Sequence, residues 1–243
     1  MTAPTGPYTT PFSAKAVVAT ATRRGVREFN CDAAAIAVSA DATTTAAVVD
    51  GIGNSSEISA MSTVLATVIV RTALRRGVLA ALLTAGEVVA DPGPDDDTPD
   101  AVAVVAAARA GDDTRVAWCG DSRVYGFNGE RIRQYSTDAT VGEQLRCNGV
   151  ALELAAEHDN WLRASLARAT IGNTYTALIP EDELVVLCSD GVVDGLPHGR
   201  LDDLVRTHAD NVQALADALV NQTESDARGY RDDATAVIIQ PPP

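Results

Sequence analysis

Two kinds of apolar pattern divide the chain. Short strand-like runs occupy residues 16–22, 34–39, 44–49, 101–108, 114–119, 123–127, 131–135, 184–188 and 234–239, the first three rich in Val, Ala and Thr. Each predicts a β-strand, because β-branched residues suit a pleated, buried surface and the runs are too short for a helix. Ala110-Gly111-Asp112-Asp113 predicts one hairpin turn and Asn128-Gly129 a second, immediately after it. Longer segments instead carry apolar residues at helical spacing. Residues 57–76 predict a helix that Ser55 or Ser56 can cap, residues 78–90 a second after Gly77, and residues 201–222 a third, with Leu201, Leu204, Val205, Val212, Leu215 and Leu219 on one stripe. Shorter helices are expected at 152–158 and 161–169, with no strong strand between 137 and 176. The stretch 91–100, Asp-Pro-Gly-Pro-Asp-Asp-Asp-Thr-Pro-Asp, can neither propagate a helix nor sit in a core, and reads as a surface loop.

Hairpins in one block and helices in another do not give the strict alternation of a parallel sheet. They predict an α+β fold: a central antiparallel β-sandwich with α-helices covering both sides. At 243 residues and 46% hydrophobic content a single domain is expected, with its core at about residues 15–240. The longest helix-like apolar run stops at Arg71, short of the roughly 20 residues a membrane span needs. The first residues show no basic region followed by an apolar one, so no secretory signal is expected and the cytoplasm is the expected location. Cys31, Cys119, Cys147 and Cys188 form no CxxC pair and read as reduced thiols, Cys119 and Cys188 as small core hydrophobes.

Charge narrows the partners. With 33 acidic against 19 basic residues the formal charge is −14, and no basic stripe exceeds an Arg pair, which argues against nucleic acid. Acidity alone would only keep the protein soluble. The positions of particular aspartates ask for more. Asp50, Asp121 and Asp190 each leave an apolar run beside a glycine, Asp232 precedes one, and Asp32 enters another. Any single Asp at a strand end is a turn residue before it is a ligand. Five of them can gather at one end of a sandwich, where mutual repulsion and lost hydration call for a cation. Oxygen-only donors suit Mg²⁺ or Mn²⁺ over zinc. His158, His198 and His208 stand outside all of these motifs, which weakens zinc, histidine-phosphatase and Ser-His-Asp chemistries together.

Val48-Val49-Asp50-Gly51-Ile52-Gly53-Asn54, Cys119-Gly120-Asp121-Ser122-Arg123, Cys188-Ser189-Asp190-Gly191 and Arg231-Asp232-Asp233-Ala234-Thr235 resemble, in order, the four motifs of the metal-dependent protein phosphatases of the protein phosphatase 2C type. Ser136-Thr137-Asp138 is similar to that family's Thr-x-Asp-His segment, and residues 149–158 to its variable flap. The resemblance implies two Mn²⁺ or Mg²⁺ ions with a third, weaker site. Asp50 would bridge the pair, the Gly51 carbonyl would bind one ion, Asp190 and Asp232 would complete it, Asp121 would serve the third with Asp190, and Asp32 belongs to the same ligand set. Arg27 would clamp the substrate phosphate. It further implies a water-derived nucleophile shared by ions roughly 3.5 to 4 Å apart, a phosphoserine or phosphothreonine protein as substrate, and an opposing kinase. Neither nucleic acid nor membrane is an expected partner, and a monomer is expected. Several positions depart from the family pattern: Cys31 for a glutamate, Ile52 for a histidine, Asn54 for a glycine, Ala139 for a histidine, Asp233 for an asparagine, and Thr98-Pro99-Asp100 for Gly-Thr-Thr. The alternative they keep open is a catalytically weak or inactive phosphatase-like binding module. Asp194 reads as a turn or supporting residue, Arg123 as half of a structural ion pair, and Trp118 and Trp161 as packing residues.

Overall fold

A computed structural model describes residues 15–90 and 99–242. Two five-stranded sheets, antiparallel throughout, form its centre. The first runs β1 (Val17–Arg23), β10 (Ala234–Gln240), β9 (Leu184–Cys188), β6 (Arg123–Phe127), β7 (Ile132–Gln134). The second runs β2 (Asp32–Val38), β3 (Thr44–Ile52), β4 (Asp100–Arg109), β5 (Asp112–Cys119), β8 (Tyr175–Ile179).

Successive side chains of a strand point to opposite faces, and here both faces are covered. Val48, Val104, Val116, Val185, Leu187, Val237 and Ile239 meet between the sheets. Their neighbours Val49 and Val105 turn outward under Leu65, Ile69 and Leu82 of α1 (Ser56–Arg76) and α2 (Val78–Val89). On the opposite side Val186 and Ile238 lie under Leu204, Leu215 and Leu219 of α6 (Arg200–His208) and α7 (Val212–Asn221). This is the expected helix-covered sandwich. It also explains why the strands read as unbroken apolar runs, and why a carboxylate can appear only where a strand leaves the core. By length and composition α1 could cross a bilayer, yet Leu65, Ala66, Ile69, Val70 and Ala73 pack it into the core. Ser55 caps it by accepting from the Ile58 N–H at 3.3 Å.

Three helical expectations need correction. Residues 201–222 are two helices, since Asn211 accepts from the Ala214 N–H and starts α7 afresh. Residues 161–169 form only a 3-10 turn at Leu166–Arg168, preceded by a bridge between Leu162 and Thr140. Two further helices, α3 (Val141–Cys147) and α5 (Asp190–Gly195), appear where none was predicted, while α4 (Leu152–Ala156) falls within its expected range. Trp161 is 60% exposed and is not a core residue, whereas Trp118 is buried and donates its indole N–H to the Thr137 carbonyl at 2.9 Å. The Asp/Pro loop lies mostly at residues 91–98, outside the described residues, and Asp100 opens β4. All four cysteines are free, three of them buried.

Candidate metal centre

Strand order delivers the aspartates to one end of the sandwich. Asp32 and Asp50 stand directly opposite in the β2–β3 register, an arrangement that like charges disfavour. Asp190 opens α5 just after β9, Asp232 lies two residues before β10, and Asp121 sits on the crossover from β5 to β6. A pocket of about 520 Å³ opens there, lined by Arg27, Asp50, Gly51, Asp121, Asp190 and Asp232, and also by Asp194, Asp226 and Tyr230. Of the six ligand residues expected from the sequence, five line it. Asp32 does not: it is buried behind Asp50, and its Oδ2 accepts the Ser189 hydroxyl at 2.7 Å.

Burial and mutual repulsion leave Asp32, Asp50, Asp121 and Asp190 reluctant to ionise. Burial, then the charges of Asp190, Asp32 and Asp121, push Asp50 well above the carboxylate range. Burial likewise raises Asp190, outweighing the opposing hydrogen bond from Asp50. Asp121 is pushed up to about 7 by burial and by Asp190. Asp32 also reaches about 7, with burial outweighing the hydrogen bonds from Ser189 and Thr235 that oppose it.

The donor set suits a hard divalent cation, since it offers oxygen alone. Among the described residues no three His, Cys, Asp or Glu side chains are drawn up in metal-holding geometry. Asp232 has both carboxylate oxygens engaged within the protein: its Oδ1 accepts the Asp233 N–H at 2.8 Å and its Oδ2 accepts from Arg27 Nη2 at 2.6 Å. Gly51 is obligatory at the pocket wall, because a Cβ there would lie 2.5 Å from Ile58 Cγ2 and 2.8 Å from the Cys31 carbonyl.

Around this pocket stand residues that the sequence did not single out. Ser189 links the sheets, donating to Asp32 and accepting the Thr235 N–H at 3.0 Å. Tyr230 touches both Arg27 and Asp232. Asp233, flagged only as a departure from asparagine, is buried and binds two backbone amides. Ser189 carried a local signal as the residue before a helical Asp, whereas the other two depend on contacts across roughly 200 residues of chain. Cys31 is buried, its Sγ 3.8 Å from the Ser55 carbonyl, and does not line the pocket. Arg123 is an ion-pair residue as expected: it grips Asp138 through Nε and Nη2 at 2.6–3.0 Å and reaches Asp194 at 3.5 Å.

No family profile matches the chain. Over 142 residues it is 26% identical to the serine/threonine phosphatase Stp of Listeria welshimeri and 25% identical to that of Listeria monocytogenes. The match takes in 56% of this chain and 55% of either relative, so the chain spans about half the length of the curated relatives it matches. The PPM Ser-Thr phosphatase MsPP from Mycobacterium smegmatis, solved with cacodylate, superposes with a TM-score of 0.75 at 24% identity, covering 94% of this chain and all of that one. A serine/threonine phosphatase of S. agalactiae gives 0.77 at 19% identity, over 93% of this chain and 100% of that chain. The catalytic domain of PstP, in complex with two manganese ions, gives 0.71 at 19%, over 93% and 97%. The chain has the fold of the PPM serine/threonine phosphatases, and about half of its sequence is similar to the Listeria members.

Proposed function

We propose that the chain hydrolyses phosphoserine or phosphothreonine on a protein with the help of two Mn²⁺ or Mg²⁺ ions and a weaker third. The observation that carries the reading is the meeting of Asp50, Asp121 and Asp190 in one pocket, their carboxyls held above the usual range, with Arg27 on the same wall. Asp50, the Gly51 carbonyl, Asp190 and Asp232 would hold the ion pair, Asp121 with Asp190 the third, and Asp32 would back Asp50 from the neighbouring strand. When bound, the ions supply Lewis-acid stabilisation of phosphoryl charge and an activated water. Arg27 binds and orients the phosphate through charge-assisted hydrogen bonds. Buried neighbours of the carboxyls keep bulk water from screening that charge. In this reading the enzyme acts as a cytoplasmic monomer opposite a serine/threonine kinase. The test is hydrolysis of a phosphothreonine peptide or para-nitrophenyl phosphate with Mn²⁺, abolished by Asp50→Asn and Asp190→Asn. Wild-type protein that stays inert with both metals across a broad substrate panel refutes it.

A second reading, a phosphatase-like binding module, draws on Cys31 in place of an acidic residue and on the direct Arg27–Asp232 ion pair. Calorimetry separates the two. Two tight Mn²⁺ sites support catalysis, and failure to bind Mn²⁺ supports the module.

A further inference from the structure

Tyr230 is explained by none of the aspartate motifs, yet its position is fixed with care. Asp226 Oδ1 accepts the backbone N–H groups of Arg228 and Tyr230, both at 2.8 Å, and the Asp226 N–H donates to the Tyr230 carbonyl at 2.7 Å. Gly229, at φ 79°, supplies the left-handed residue that closes this loop. From it the Tyr230 ring, 40% exposed, reaches the pocket wall beside Arg27.

The Tyr230 hydroxyl serves two partners at once. It accepts from Arg27 Nε at 2.7 Å and donates to Asp232 Oδ2 at 3.1 Å, while Arg27 Nη2 donates to the same Oδ2 at 2.6 Å. The three side chains therefore close a ring. Arg27 Nη1 is committed to the Gly53 carbonyl at 3.0 Å, and the guanidinium carbon stands 5.7 Å from the Tyr230 ring centroid. A guanidinium has five N–H donors. Three are spent on the protein, which leaves one on each terminal nitrogen, the pair that can grip two oxygens of one phosphate. The Nε contact decides whether that pair is aimed, because it fixes the plane of the group about its last rotatable bonds.

We propose that Tyr230 is the positioning residue of the phosphate clamp: its hydroxyl locks the Arg27 guanidinium plane so that two N–H donors face a phosphate monoester in the pocket. The role rests on the proposed phosphatase reading, and it predicts an effect on substrate binding without one on the chemical step. Tyr230→Phe keeps the ring and the loop and removes only the hydroxyl. Nuclear magnetic resonance of the whole chain can follow the Arg27 Nε–H proton, assigned by its loss in Arg27→Lys, and read its solvent exchange without turnover. Exchange in Tyr230→Phe should quicken about ten-fold, the worth of one hydrogen bond to a charged group. With Mn²⁺ and para-nitrophenyl phosphate, KM should rise about ten-fold while kcat stays within about two-fold, and the Arg27→Lys background should erase the effect. Tyr230→Leu should be no better than Tyr230→Phe. Unchanged Arg27 exchange, a change in kcat alone, a change confined to Mn²⁺ affinity, or full function in Tyr230→Phe with loss only in Tyr230→Leu would each overturn the proposal. Should the wild type hydrolyse nothing, the phosphatase reading fails, and the exchange measurement still decides whether Tyr230 sets Arg27.

Discussion

Replacing Asp233 by Asn sets two opposed effects against each other. Asp233 is 3% exposed; its Oδ1 accepts the Gly25 N–H at 2.7 Å and its Oδ2 the Cys31 N–H at 2.8 Å. It thus fastens both ends of the loop that carries Arg27. That loop has no room to tilt, since a Cβ on Gly25 would lie 2.3 Å from the Arg231 carbonyl, and the Val26 N–H donates to that same carbonyl at 3.0 Å. Asparagine keeps one acceptor oxygen but turns an NH₂ toward the other amide, so one hydrogen bond to a charged acceptor becomes a contact between donors. That costs about 1.5–3 kcal/mol. Against it, removing a negative charge relieves Asp32, but Asp233 stands last among the causes that raise Asp32, after burial and Asp190. The hydrogen bond should win. Asp233→Asn is expected to lose about 2 kcal/mol, a fall in Tm of roughly 4–8 °C for a chain of this size, and Asp233→Ala about twice that, with both amides left unpaired. Calorimetry and urea unfolding at pH 7.5 measure both. An asparagine variant as stable as the wild type would mean that carboxylate repulsion outweighs the buried hydrogen bond, and the reasoning would be wrong.

Two further outcomes follow from the same structure. Asp32 and Asp121 have folded pKa values of about 7, and Asp50 and Asp190 are raised as well, all above the ordinary 3.8. Between those limits the folded state holds more protons than the unfolded one, so the metal-free protein should lose stability as pH rises from about 4 to about 7. Mn²⁺ should therefore raise Tm more at pH 7.5 than at pH 5; a Tm in chelator that climbs over the same range contradicts the assignment. Arg123→Met should cost about 3 kcal/mol by stranding Asp138, whose side chain is 10% exposed, and Arg123→Met with Asp138→Asn should recover part of it. Equal urea midpoints for the wild type and Arg123→Met would show that the ion pair contributes nothing.

Much of the fold was legible because burial on both faces excludes polar residues from the strands. Val48-Val49, Val104-Val105 and Val185-Val186 alternate between two apolar environments, so no polar beat marks the period, and the β-branched runs alone give the strands away. β8 escaped notice for the opposite reason. It is an edge strand with only Ile179 buried, and residues 175–179 carry no pattern. The stripe across 201–222 hid the break at Asn211 because apolar positions stay nearly in phase on both sides of it, although an Asp-Asn pair there is itself a cap signal.

The same exclusion makes the aspartate pocket readable. A carboxylate barred from a doubly covered strand must sit at its end, so each aspartate flanking an apolar run marks the sandwich rim. Which rim, and with what neighbours, follows from strand order: the second sheet brings Asp32 and Asp50, the first brings the approaches to Asp190 and Asp232, and the β5–β6 crossover brings Asp121 between them. No local signal could have paired Tyr230 with Arg27 or Asp233 with Cys31, because those contacts exist only once β1 and β10 lie side by side, Arg23 against Ala234. That pairing places the loop after β1 against the approach to β10. Arg27 and the last aspartate of the pocket therefore share one hydrogen-bonded unit, and a change in either should be felt by the other.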